Sequence, residues 1–390
     1  MLKQLLIPFI VFMSFATSSQ TLKLSAYSEV SIITSGPGTH LYEKFGHTAI
    51  RVKDPVLNFD LIYNYGIFDL GDANFYVNFT KGFMTYKLAR YDFYHVLKNA
   101  NHEKRWVKQQ TLNLTSEEKT LFFEFLQQNA TPENASYFYD PFFNNCATKP
   151  RDIIKLILKD KLILAKPNTH SKHSLRSLMN EEINTNTWGS LGINVALGNR
   201  LDKMVTAEES MYLPDYVYSI LEHSKIKRDN QLVPLVKQTK VLLDFKEKEA
   251  KSDVINPVLI FALLLFIGIY ITYRDFKAKR RTKWFDAFLF FTTGVIGILI
   301  IFLWCFTTHS TAPNNFNFLW AFAPNFIVGF YVLKTRVQKW VMYYIRLLLV
   351  FLSIIPLVWL SKIQVFNSAL LFIFALLALR YWYLQKALNG

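Results

Sequence analysis

Two residues far apart in this 390-residue chain have the types that acyl chemistry needs. Cys146 lies in Phe142-Phe143-Asn144-Asn145-Cys146-Ala147-Thr148-Lys149-Pro150-Arg151-Asp152, and His47 lies in Phe45-Gly46-His47-Thr48-Ala49-Ile50-Arg51-Val52. A cysteine attacks as its thiolate, so it needs a neighbour that takes its proton or lowers its pKa. Pro150 suits a first helical turn, which puts Cys146 at or just before a helix N-terminus. Unpaired N–H groups and the helix dipole there favour a negative sulfur and, later, an oxyanion. His47 directly precedes a β-branched run that can hold its ring, and Gly46 beside it allows close packing. By residue type alone the pair fits a thiol acyl-transfer enzyme or an amidase. The plainer reading is a buried structural cysteine and a hydrogen-bonded core histidine.

The elements that must position the pair read as an α+β domain. Val30–Thr34, Thr48–Val52, Phe59–Tyr65 and Phe83–Ala89 are rich in β-branched and aromatic residues and are bounded by turn formers, so strands are expected. A helix is expected over 116–129, with Thr115 and Glu118 as a capping box, and another from Pro150 to Lys159. Residues 167–224 read as mostly helical, with a second capping-box pattern at Thr206 and Glu209. The polar stretch 225–253 reads as a connector, helical in part.

Compartment follows from the two ends of the chain. Residues 1–19 read as a secretory signal: Lys3, an apolar run from Leu5 to Phe15, then Ala16-Thr17-Ser18-Ser19. After residue 254 come five apolar stretches, about 255–273, 285–306, 317–333, 341–360 and 364–384, most near the ~20 residues a membrane helix needs. Pro324 and Asn325 make the third a candidate for a kinked or re-entrant segment. The connections 274–283 and 334–340 are rich in Lys and Arg, whereas 307–316 has no charged residue, so the first two face the cytoplasm and the third faces outward. Residues 20–254 therefore lie outside, 20–224 of them as the outer domain, in agreement with the signal. Of the net charge of +15, +11 lies in 255–390, among the apolar segments, which argues against a nucleic-acid footprint. Trp320, Tyr343, Tyr344 and Trp382 sit where aromatic residues gather at helix ends.

Cys305 lies in an apolar run and reads as a small buried hydrophobe; a Cys146–Cys305 disulfide would have to join an outer domain to a membrane helix. Cys146 is then a free thiol in an oxidising compartment. His170 and His173 have a spacing that could suit a metal, but no Cys or carboxylate cluster accompanies them, and they read as loop residues.

FGHTAIRV, then YNYG, then FFNNCATKPRD resembles the Lnb-type lipoprotein N-acyltransferases of Gram-negative bacteria, and the WGSLGINVALGNRLD stretch and the apolar segments extend the resemblance over nearly the whole chain. It implies a circularly permuted papain-like outer domain, with the histidine strand before the cysteine helix, as in lecithin:retinol acyltransferase-like proteins. A multi-pass transmembrane domain of about five helices at 254–390 would hold it on the periplasmic side of the inner membrane. It implies Cys146 as nucleophile and His47 as general base. It places His309, Asn314, Asn315 and Asn317 in an uncharged outer loop, where contact with a lipid headgroup and a role without chemistry are equally open. The partners implied are a phospholipid acyl donor and a diacylglyceryl lipoprotein acceptor, with no metal or other cofactor.

Spacing does not identify a ring-orienting third group; Glu43, Tyr63 and Asn64 are the candidates, and Asn145, Thr148 and Arg151 are candidate supports. Each has an ordinary reading: Tyr63 as a strand residue, Arg151 with Asp152 as a surface pair. Two other functions stay open, a papain-like cell-wall peptidase and a membrane-anchored lipoprotein-binding scaffold.

Overall fold

Alternation of β-branched and aromatic residues builds a seven-stranded antiparallel sheet in the first half of the chain. The structure, a computed structural model, describes residues 22–166, 173–247 and 251–389. The expected signal sequence and His170 lie outside the described residues.

The strands are β1 Glu29–Ser35, β2 His47–Asp54, β3 Phe59–Ile67, β4 Thr85–Asp92, β5 Val107–Leu112, β6 Ser136–Phe138, β7 Leu162–Ile163, β8 Lys225–Arg228, β9 Gln231–Pro234 and β10 Val236–Leu243. The sheet order is β10-β5-β1-β2-β3-β4-β6, and β7-β8-β9 form a small second sheet. Between and after the strands run helices α1 Phe75–Lys81, α2 Tyr94–Glu103, α3 Ser116–Asn129, α4 Thr148–Leu158, α5 Leu175–Glu182, α6 Trp188–Ala196, α7 Ala207–Ser210 and α8 Pro214–His223. Period-two alternation divides the sheet between two cores. Ile32, Ile50, Val52, Tyr63 and Tyr65 meet α3, α4 and α8, while Ile33, Ala49 and Ile62 meet Phe93 and Ala100 of the α2 region.

Both expected capping boxes form, Thr115 with Glu118 and Thr206 with Glu209. The reading of 225–253 as a partly helical connector is corrected. Residues 225–243 form β8, β9 and β10, and β10 pairs along β5 as an edge of the main sheet. The Lys-rich, half-exposed pattern of an edge strand resembles a polar linker in sequence, and only its pairing partner distinguishes the two.

The second half holds α9 Pro257–Lys277, α10 Lys283–Cys305, α11 Asn325–Val332, α12 Lys339–Leu360 and α13 Leu370–Asn389. Four of these, all but α11, are long and apolar enough to cross a membrane. The third apolar stretch is a broken path: a short 3-10 turn at Phe316–Leu319, a break through Pro324, then the eight-residue α11. It still runs the length of the bundle. At its start Asn315 bonds Val195 of the outer domain, and past its end Arg281 and Lys283 bond Lys334 and Thr335. Gly294 and Gly297 of α10 make this path fit, because a Cβ at either would meet its backbone at 2.2 Å.

Cys305 ends α10 exposed rather than buried, which corrects the sequence expectation; both cysteines are free. An apolar run cannot say which helix face looks inward when the surroundings are also apolar. Of the four aromatic residues expected at helix ends, Tyr343 and Trp382 are exposed, but Trp320 is buried and Tyr344 bonds Asn325. At the end away from the outer domain, Arg380 is fully buried and bonds Asp275 at 2.7 Å and Asp286 at 2.5 Å, tying α13 to α9 and α10.

Candidate active site

Cys146 and His47 meet at one end of the main sheet, where β1 stops, β2 begins and β3 turns away. Cys146 comes from the turn before α4. Asn145 locks that turn: its Oδ1 accepts the N–H groups of Ala147 and Thr148, both at 2.9 Å, and its Nδ2 donates to the carbonyls of Pro141 and Tyr212. The Thr148 hydroxyl in return accepts the Asn145 N–H at 2.8 Å. This reciprocal cap, of a kind worth about 1 kcal/mol in a typical helix, leaves the sulfur little freedom to move.

His47 opens β2. Its Nε2 lies 2.5 Å from Asn64 Oδ1, and Asn64 Nδ2 donates to the Tyr91 hydroxyl at 2.7 Å. An amide oxygen can only accept, so Nε2 carries the proton in this contact and Nδ1 is left for the sulfur. Asn64 is thus the candidate that the structure brings to the ring. Tyr63, its neighbour on β3, points to the opposite face and sits in the core, where burial pushes its phenol up to about 12. Glu43 caps a short 3-10 turn by accepting the His40 N–H and does not approach His47.

The electrostatics favour an ion pair. Burial alone would raise the Cys146 thiol, but the charge and hydrogen bond of His47, with the N–H groups of Thr48 and of Cys146 itself, hold it below its ordinary value. Burial alone would lower His47, and the Cys146 sulfur together with Asn64 hold it above its ordinary value. The two shifts are one interaction seen from both partners.

Three residues that the sequence reading left without a role complete the pocket. Gly66 has φ +97°, and a Cβ there would stand 3.6 Å from Cys146 Cβ and 4.0 Å from the Tyr137 hydroxyl. The left-handed backbone requires glycine, and it turns the β3 end clear of Cys146. The Tyr137 hydroxyl is buried beside the Gly66 N–H with no acceptor for its own proton among the described residues, and burial, then the nearby sulfur, keep that phenol protonated. Tyr139 stacks on Tyr86 at 4.2 Å beside Gly66. For Gly66 the signal was a glycine among strand aromatics 80 residues before Cys146, whereas Tyr137 and Tyr139 precede Cys146 by only nine and seven residues.

Residues 15–181 match the family model of the Lnb N-terminal periplasmic domain, and residues 249–388 match that of the Lnb transmembrane domain. The chain belongs to the Lnb family. No curated protein and no solved structure matches it. Family membership makes this a membrane protein with a periplasmic part and points to a membrane lipoprotein-modifying enzyme.

The remaining candidates of this Lnb-family chain lie away from the sulfur. Arg151 turns from the site to pair with Asp152 at 2.8 Å and to bond the Glu208 carbonyl. Asn315 and Asn317 are fully buried between the two halves. Asn317 Nδ2 donates to the carbonyls of Asn194 and Val195, and its Oδ1 accepts Trp320 Nε1. Asn315 Oδ1 accepts from Asn317 and from Gln364. Asn314 is exposed, and its carbonyl accepts the Asn199 N–H. His309 rests edge-on against Phe79 at 6.3 Å, and its neighbour Ser310 bonds Asp140 of the turn that leads to Cys146. His173 pairs with Glu181 at 2.9 Å.

Proposed function

We propose that the chain is a multi-pass inner-membrane lipoprotein N-acyltransferase with Cys146 as nucleophile, His47 as general base and Asn64 as the residue that orients the imidazole. The observation that supports this most directly is the His47–Asn64 contact beside a free thiol at the start of α4. His47 takes the thiol proton and the sulfur attacks the carbonyl carbon of a phospholipid ester. The C–O bond breaks, the lysophospholipid oxygen takes the proton from His47, and the acyl chain stays on sulfur as a thioester. The free α-amine of a diacylglyceryl-cysteine lipoprotein then attacks the thioester. The C–S bond breaks, His47 accepts the amine proton, and the product is an amide with the thiolate restored.

Tyr137, protonated and with no acceptor for its proton among the described residues, is assigned as a donor to the tetrahedral oxyanion. Asn315 and Asn317 are assigned to joining the halves, since their side-chain donors and acceptors are taken up by protein. Both substrates are anchored in one membrane leaflet, which suits a catalytic domain fixed to a helical bundle. Incubation of the purified protein with labelled phospholipid should leave an acyl group on the peptide carrying Cys146 and release lysolipid. Cleavage of muropeptides without acyl-enzyme would instead establish a cell-wall peptidase.

A further inference from the structure

α1 presents an apolar face that the described residues leave largely exposed. Tyr76, Val77 and Phe79 are 69%, 51% and 48% exposed, and Phe83 just beyond the helix is exposed too. Clustered apolar exposure of this kind marks an interaction surface. Its neighbours identify the partner. The Thr308 N–H, three residues past the end of α10, donates to the Lys81 carbonyl at 2.9 Å. Tyr76, Val77, Thr80 and Lys81 border, with Phe302 of α10, a shallow open cleft of about 280 Å³. On α10 itself Ile298, Leu299 and Ile301 are exposed, so the α1 face continues the outward apolar surface of a helix fit to cross a membrane.

The cleft also leads to the nucleophile. Phe75 of α1 stacks near Phe68 at 5.6 Å, Phe68 lies 5.0 Å from Tyr86, and Tyr86 stacks on Tyr139 at 4.2 Å beside Gly66 and Cys146. The loop that holds Lys81 also bonds the nucleophile turn through Ser310 and Asp140.

We infer that α1 lies in the membrane interface and that the α1–α10 cleft takes an acyl chain of a diacyl phospholipid, with the exposed Lys81 ammonium against its phosphate. The aromatic run guides the ester to Cys146. The lipid-facing position of α1 stands on its own geometry, whereas delivery to Cys146 rests on the acyl-transfer reading above.

The test uses the full chain in vesicles of phosphatidylethanolamine and phosphatidylglycerol. A fluorophore on Val77→Cys, in a Cys146→Ser, Cys305→Ser background, should lose at least half its intensity when the acyl chains carry bromine. Unchanged intensity would overturn the interfacial position. With both native cysteines restored, Val77→Asp should raise the apparent KM for vesicle phospholipid at least tenfold and leave acylation by a short-chain soluble p-nitrophenyl ester within twofold. An equal loss with both esters, or no loss with phospholipid, overturns the cleft as the lipid path. If the unmodified protein is acylated by neither ester, the acyl-transfer reading falls, and the quenching result alone decides where α1 lies.

Discussion

Two polar clusters in this protein drew attention for the same reason, side chains capable of chemistry, and the fold treats them oppositely. At the joint between the halves, Asn315, Asn317, Gln364 and Asn367 are buried neutral amides that bond backbone carbonyls or one another. At the sheet end, Cys146 and His47 are half-buried and titratable, they shift each other's proton affinity, and Tyr137 beside them is buried with no acceptor for its proton among the described residues. A saturated cluster gains stability from its hydrogen bonds and has nothing left for a substrate. An unsaturated one gives up some of that stability and keeps groups available for a transition state. Saturation, rather than residue type, separates joint from site.

Four substitutions test that division. The largest effect belongs to Cys146→Ala, which should abolish thioester formation and acyl transfer while the protein still folds and inserts. Full activity in an assay of lipoprotein N-termini by mass spectrometry would end the proposal. Tyr137→Phe should lower kcat about 100-fold with KM little changed, as loss of one oxyanion donor does. Steady-state kinetics that show only a KM change would place Tyr137 in binding instead.

Asn64→Ala should cost roughly tenfold in kcat/KM and also reshape the pH profile. Each partner favours the other's charged form, so thiolate and imidazolium coexist more readily than in the separate groups, and activity should fall at both pH extremes. Without Asn64 the imidazolium loses a stabilising contact, and the alkaline limb should move to lower pH. An unmoved limb would reduce Asn64 to a packing residue. The smallest catalytic effect belongs to Asn317→Ala. It should lower the melting temperature, through the loss of about 1–3 kcal/mol from unpaired buried partners, yet leave kcat per folded molecule within about threefold. A large kcat loss in fully folded Asn317→Ala would show that the joint does take part in chemistry.

Much of this was legible in local sequence, and the exceptions share a cause. The strands around His47, the capping boxes and the positive loops depend on neighbours within a few residues, where periodicity and caps carry the signal. Strand β10 failed that test because a lysine-rich edge strand looks like a linker until β5 lies beside it. Cys305 failed because an apolar helix inside a bilayer gives the same pattern on both faces.

The sequence by itself determined the division into a periplasmic part and a membrane part, since composition and charge suffice for it, and it nominated the free thiol and its histidine. Only the tertiary structure decided which of Glu43, Tyr63 and Asn64 faces the ring. Adjacent strand residues point to opposite faces, so the choice between Tyr63 and Asn64 turns on the side of the sheet from which His47 approaches. It also decided that Gly66, 80 residues before Cys146, meets Tyr137 and borders the sulfur, because β3 and β6 reach the same sheet end only through β4. Local physics writes the elements, and long-range pairing chooses which of their side chains meet.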